Sequence, residues 1–250
     1  MLQKRFIIKP GLETEAPEQA LSQYLKVFNE HGISIEGKRC LLFGYGGNFA
    51  LGCLLLAQRA KHVVLLDKYA YPDIRRNQTL LLHYPQYLQK IGNTVSLNPQ
   101  YLTCHHADIQ DLSLAAPIDM ILSSSVLEHV DQVDETIQAL SRLTAPQGIH
   151  VHFIDLRDHY FKYPFEMLCY SQTTWERWLQ PSSHLNRYRM QDYQNIFTTY
   201  FTQVDMTLLT QDIEQFRAVQ PRIQKHFLTG EDEIDSATQI LVVAQNVRHS

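Results

Sequence analysis

Cysteine, glycine and long apolar runs are all scarce in this chain. Its four cysteines, Cys40, Cys53, Cys104 and Cys169, form no Cys-x-x-Cys pair. That removes the usual signature of a redox or zinc motif. Three lie in or beside apolar runs, which suits reduced core residues in a cytoplasmic protein. No apolar stretch approaches the length of a membrane span, and Met1–Pro10 is too short in apolar residues for a secretory signal. Excess positive charge is also missing: 22 Lys and Arg face 26 Asp and Glu, a net charge of −4. Nucleic acid and anionic membranes are therefore not expected partners. With 44% hydrophobic and 19% charged residues over 250 positions, the chain is an ordinary soluble globular protein, long enough for one domain with a buried core. No internal repeat or low-complexity segment stands out.

What is present is a concentration of the scarce glycine. Leu41–Gly52 reads Leu-Leu-Phe-Gly-Tyr-Gly-Gly-Asn-Phe-Ala-Leu-Gly: an apolar strand, a glycine cluster, then an apolar helix pattern from Phe49. Glycine suits a sharp strand-to-helix turn where a ligand approaches the backbone. A second buried strand, Val63–Asp67, ends in an acid 23 residues after Gly44. An acid there can accept the hydroxyls of a ribose. The dinucleotide spacing Gly-x-Gly-x-x-Gly fails, because Phe49 stands where the last glycine would be, so a nucleoside without a pyrophosphate is the expected ligand.

Further along come His105-His106-Ala107-Asp108-Ile109 and Ile118–Val130, the latter ending Ser-Ser-Ser-Val-Leu-Glu-His-Val. In this order the motifs resemble the class I S-adenosylmethionine-dependent methyltransferases of the small-molecule type. The resemblance is clear over Gly37–Ile154 and extends to Thr238–Gln245. It implies an enzyme with S-adenosyl-L-methionine as cofactor. Its binding residues would be Gly44, Gly46, Gly47, Asp67, Lys68, Asp108, Ile109, Ser124 and Ser125. One position departs from the family: Leu42 replaces the acid, two residues before the first glycine, that helps hold the cofactor's methionine end.

Strand and helix patterns alternate from Arg39 to Ile154, with strands expected near Arg39–Phe43, Val63–Asp67, Tyr101–His106, Ile118–Ser123 and Ile149–Ile154. Asp131 is the expected N-cap of a helix bearing Val133, Ile137 and Leu140. Phe201–Leu209 and Thr238–Gln245 are expected to close the sheet as an antiparallel pair. The fold predicted is α/β: a Rossmann-like sheet of seven mostly parallel strands with helices on both faces. We read residues 1–250 as a single methyltransferase domain. Residues 1–36 form its amino-terminal helical cap, with Pro17 in the first helical turn, and 155–191 an aromatic lid insertion.

Ligands of an open parallel sheet sit beyond the carboxyl ends of its strands. That placement makes His129, His159 and Tyr160 the candidates for touching a methyl acceptor. Arg187 and Arg189, on one side of an extended segment, would form either a small basic site for a substrate carboxylate or phosphate or structural ion pairs with Glu166, Glu176 or Asp192. His105-His106 lacks a third ligand at useful spacing, so no metal is expected. The function expected is methyl transfer to a small-molecule acceptor, a carboxylic acid among the candidates. Two alternatives stay open: aminocarboxypropyl transfer or cyclisation releasing methylthioadenosine, and a non-catalytic member that binds a nucleoside or a partner. RNA methylation is disfavoured, since no Asn-Pro-Pro-Tyr-like motif stands at 123–126. The oligomeric state is open, a dimer included.

Overall fold

The structure is a computed structural model that describes residues 12–159, 161, 163–180 and 184–248. The chain packs as two compact units, Met1–Ala107 and Asp108–Ser250.

The first unit begins with a short helix α1 (Leu12–Glu15) and the amphipathic α2 (Pro17–Glu30), whose N1 position is Pro17. Ala20, Leu21, Tyr24, Val27 and Phe28 form the buried face of α2, which packs against α3 (Ala50–Ala57). Three parallel strands follow: β1 (Arg39–Phe43) pairs with β2 (His62–Asp67), which pairs with β5 (Leu102–His106). Their centres are continuous apolar runs, with Leu41, Leu42 and Val63 through Leu66 fully buried, as strands covered on both faces require. Between β2 and β5 lie α4 (Ile74–Leu80) and a hairpin, β3 (Leu88–Ile91) and β4 (Thr94–Leu97). The hairpin was not among the expected elements. Its turn is Gly92-Asn93, with Gly92 at φ +59°.

The second unit holds β6 (Ile118–Ser124), α5 (Val133–Leu143), β7 (Thr144–Asp155), β8 (Phe201–Gln211) and β9 (Ala237–Val247). β6 and β7 are parallel; β9 runs antiparallel to both β7 and β8. β7 starts five residues before the expected Ile149, because Thr144 already pairs with Ile118 and the register then jumps to Met120↔Ile149. Pro146 and Gly148 lie in that bulge, which is why the sequence there does not read as strand. Asp131 is not the cap of α5. Gln132 occupies the N-cap position, and the Asp131 carboxylate accepts from Gln180 Nε2 at 2.8 Å.

A row of buried polar groups threads the interior of this unit. Thr144 Oγ1 donates to the Leu140 carbonyl at 2.7 Å, so it accepts from His150 Nε2 at 2.8 Å. His150 Nδ1 therefore accepts from His152 Nε2 at 3.2 Å, and His152 Nδ1 from Ser123 Oγ at 2.7 Å. The order of donors fixes both imidazoles as neutral tautomers. Phe197 and Phe201 pack on the two rings.

Residues 165–228 contribute a second, smaller core. Phe165, Met167, Leu168, Trp175 and Leu185 are buried together with Phe216 and Ile223. Phe165 and Trp175 of the aromatic insertion thus pack inward, while Trp178 and Tyr163 remain exposed. No helix among the described residues is long and apolar enough to cross a membrane.

Candidate active site

In the first unit the carboxyl ends of β1 and β2 meet at the glycine turn. Gly44 N–H donates to the Leu66 carbonyl at 2.8 Å, and Gly46 N–H donates to Asp67 Oδ2 at 3.1 Å. Asp67 Oδ1 accepts from the backbone N–H groups of Tyr69 and Ala70 at 2.8 and 2.7 Å. The carboxylate is thereby oriented by backbone alone. Oδ2 takes a single N–H, which leaves it acceptor capacity for a hydroxyl. Lys68 is exposed, its ammonium 5.5 Å from the Tyr69 ring centroid.

The turn glycines are demanded by protein as well as by any ligand. Gly46 and Gly47 have φ of +65° and +83°. A Cβ on Gly46 would stand 2.1 Å from Thr14 Oγ1, and one on Gly47 would stand 2.5 Å from the Tyr71 carbonyl oxygen. Asn77, 1% exposed, pins the turn from α4: its Nδ2 donates to the Gly47 carbonyl and its Oδ1 accepts from Phe49 N–H, both at 2.9 Å. The sequence reading missed Asn77, since a lone Asn in a polar helix carries no motif. It also missed α1, whose Thr14 carbonyl accepts from Asn48 Nδ2 at 2.9 Å and Arg76 Nη1 at 3.0 Å. A ligand that needs a diol acceptor beside a turn free of Cβ atoms fits these residues.

In the second unit the carboxyl ends of β6 and β7 carry a cluster of ionisable groups. Ser124 ends β6, and Ser125 turns the chain at φ +54° with its N–H donating to the Phe153 carbonyl at 3.0 Å. The short helix Leu127–His129 follows. Asn186 holds it in place, donating from Nδ2 to the Leu127 and Val130 carbonyls at 2.7 and 2.8 Å. His129 Nδ1 lies 2.9 Å from the His184 carbonyl. A carbonyl only accepts, so Nδ1 carries the proton and Nε2 keeps its lone pair. Burial lowers the His129 pKa against the opposing pull of that hydrogen bond, so the ring is neutral near pH 7.

His159 stands beside it, with ring centroids 5.7 Å apart. Its Nε2 is 3.3 Å from Asp155 Oδ2, and Arg157 grips the same carboxylate with Nε at 2.9 Å. Burial would raise the Asp155 pKa, but the hydrogen bonds from Arg157 and His159 outweigh it and hold the group well below the usual carboxylate range. Glu128, 2% exposed, behaves in the opposite way: burial pushes it up to about 8. Neither Glu128 nor Arg157 was singled out from sequence, although Glu128 sits inside the Leu-Glu-His phrase. His129 and His159 thus lie side by side, and Tyr160 lies outside the described residues. Asp108 caps the short helix Ile109–Asp111 by accepting from Gln110 N–H at 3.1 Å, and Ile109 is buried.

The basic site expected at Arg187 and Arg189 does not form. Both side chains are interior, 6% and 4% exposed. Arg187 donates to the Met167 and Tyr170 carbonyls at 3.2 and 2.7 Å and to Gln172 Oε1, between the rings of Trp175 and Phe227. Arg189 donates to the carbonyls of Leu156 at 2.9 Å, Asp235 at 3.3 Å and Ala237. The two residues do share a stretch of extended backbone, but backbone oxygens take the place of a carboxylate ligand.

Among solved structures, the N-methyltransferase NodS of Bradyrhizobium japonicum WM9 superposes with a TM-score of 0.52 at 16% identity, covering 94% of this chain and 99% of that one. The CurJ carbon methyltransferase gives 0.54 at 16% identity, covering 95% and 57%. A Haemonchus contortus phosphoethanolamine N-methyltransferase gives 0.56 at 12%, covering 91% and 53%. At these identities the likeness speaks for the fold alone. No curated protein matches the chain in sequence. The profile of the methyltransferase-domain family matches residues 15–211, well over half of the sequence. With the glycine turn, Asp67 and the Leu-Glu-His segment in the family's order on this fold, the chain belongs to the methyltransferase-domain family, as a class I enzyme that uses S-adenosylmethionine.

Proposed function

We propose that the chain methylates a small molecule at an atom that must lose a proton, an amine nitrogen or a hydroxyl oxygen, with His129 as the base. The observation that carries this reading is the His129 tautomer: Nδ1 is committed to the His184 carbonyl, and burial keeps the ring neutral. A base accelerates only acceptors that carry a proton to remove. A carboxylic acid is already ionised near pH 7 and would gain nothing from it. With Arg187 and Arg189 committed to backbone carbonyls, a carboxylic-acid acceptor also lacks its expected cationic partner.

In the first unit, Gly44, Gly46 and Gly47 make room for the nucleoside, and Asp67 accepts the ribose hydroxyls, with Lys68 at the rim. In the second, Asp108, Ile109, Ser124 and Ser125 are the residues we assign to cofactor contact. When bound, S-adenosylmethionine supplies a methyl carbon on a sulfonium, open to in-line displacement. His159 stands beside His129 with its Nε2 tied to Asp155, and the Asp155 carboxylate supplies the negative charge that favours the proton His129 takes. Positioning of the acceptor supplies the rest of the acceleration.

The test is turnover with S-adenosylmethionine against a panel of amines, phenols and carboxylic acids, with the nucleoside product identified. S-adenosylhomocysteine should form with an amine or hydroxyl acceptor. His129→Asn should lower kcat by about 100- to 10,000-fold while cofactor affinity holds. Methylthioadenosine as product would replace methyl transfer with aminocarboxypropyl chemistry. Methylation of carboxylic acids that is indifferent to His129→Asn would overturn the assignment of the base.

A further inference from the structure

The methionine end of S-adenosylmethionine carries an ammonium, which needs an oxygen acceptor of matching charge. Four acids of the first unit gather around the glycine turn, and three are already engaged. Asp67 accepts three backbone N–H groups. Asp73 caps α4 by accepting from Arg76 N–H at 3.0 Å. Glu15 pairs with Arg76 at 2.7 Å.

Glu13 differs from all of them. It is 3% exposed, its Oε1 accepts from the Tyr24 hydroxyl at 2.5 Å, and its Oε2 is buried with no hydrogen-bond partner. An orphaned carboxylate oxygen in the interior is costly and rare in a folded protein. Its neighbour Thr14 fills the space that a Cβ on Gly46 would need, and the Thr14 carbonyl is clamped by Asn48 and Arg76. Glu13 is therefore the chain neighbour of the residue that touches the turn at Gly46. Leu42, the position where the family resemblance expects an acid, is fully buried and offers no side-chain oxygen.

We propose that Glu13 binds the cofactor's ammonium through Oε2, supplying from α1 the acid that Leu42 does not. The proposal rests on the S-adenosylmethionine reading of the first unit. Tyr24 then acts as a positioning residue that orients the carboxyl group. Burial pushes the free Glu13 up to about 8, so the group is mostly protonated at pH 7. Pairing with an ammonium requires the carboxylate form, and binding should therefore release a proton.

Calorimetric titration of the whole protein tests this, with S-adenosylhomocysteine and with methylthioadenosine, which lacks the amino-acid end. Runs at pH 7 in two buffers of different ionisation enthalpy count the protons. Wild type should release close to one proton with S-adenosylhomocysteine and none with methylthioadenosine. Glu13→Gln should weaken S-adenosylhomocysteine by roughly 10- to 100-fold, the scale of a hydrogen bond to a charged group, leave methylthioadenosine unchanged, and abolish the proton release. Equal loss of both ligands, or loss of neither, would make Glu13 structural and overturn the proposal. If Glu13→Gln does not fold, the proton count on wild type decides, and the same count with both ligands defeats it. Wild type that binds neither nucleoside would instead defeat the cofactor reading itself, and the Glu13 proposal with it.

Discussion

The glycine turn of the first unit and the histidine cluster of the second are held by different means. Around Gly44–Gly47 the fixing groups are largely main chain: the Leu66 and Gly47 carbonyls and the amides of Gly44, Gly46, Tyr69, Ala70 and Asp73. Around Leu127–His129 they come from side chains and a carbonyl 55 or more residues away, namely Asn186, Tyr193 and His184. A site built from backbone tolerates almost no added volume, whereas one built from distant side chains depends on ionisation and on the packing that delivers them.

The sharpest break of that contrast uses two glycines. Gly47 and Gly230 both have positive φ, +83° and +92°, but only Gly47 has a neighbour in the way, the Tyr71 carbonyl oxygen. Gly47→Ala should cost about 3 kcal/mol or more from strain plus a clash with backbone that has no rotamer to escape into. That corresponds to a loss of roughly 6–12 °C in Tm for a chain of this size. Gly230→Ala, with open space around it, should cost about 1 kcal/mol, the backbone-strain contribution alone. Equal melting temperatures for the two variants would mean that the turn has room to relax, against the close packing of Gly47 on the Tyr71 carbonyl.

Ionisation gives the next effect, with opposite signs in the two units. His152 is buried and its folded pKa is pushed down to about 3 from 6.5, so the folded state refuses a proton that the unfolded state accepts. Its contribution is present above pH 6.5 and lost as pH falls, at about 1.4 kcal/mol per unit. Glu13, raised by burial to about 8 from 4.5, contributes below pH 4.5 and loses that contribution as pH rises toward 8. Urea denaturation across this range should therefore show His152→Gln gaining about 2 kcal/mol on wild type between pH 6.5 and pH 5. Glu13→Gln should gain on wild type in the other direction, from pH 5 to pH 8. Parallel trends in the two variants would show that the His152 row or the Glu13 carboxyl is hydrated rather than dry.

The same contrast explains what the sequence revealed. β1, β2, β5 and the β8–β9 pair could be read because each is a local apolar run ended by a turn, and Asp67 because its distance from Gly44 is fixed by one strand–helix–strand passage. The β3–β4 hairpin carried its signal in Gly92-Asn93, but its flanking residues are half polar and read as loop. Glu128 went unread because an acid is rarely placed in the interior, and nothing local tells that 2% of it is exposed. Arg187 and Arg189 were misplaced for the converse reason: periodicity tells which residues share a side, not whether that side meets solvent or the carbonyls of residues 156, 167, 170, 235 and 237.

The smallest expected effect separates a cap read from sequence from one made in the fold. Asp131 has the residue type of an N-cap before α5, yet its carboxylate accepts from Gln180 and makes no bond to an α5 amide. Asp73 does cap, with its side chain accepting from Arg76 N–H at the start of α4. Asp73→Ala should destabilise the protein by about 1 kcal/mol, the ordinary cost of a lost cap. Asp131→Ala should fall within about 0.5 kcal/mol of wild type, as exposed substitutions do. Urea midpoints at one pH suffice to rank the two. A larger loss for Asp131 would mean that α5 recruits it in solution, and that residue type alone would have been the better guide there.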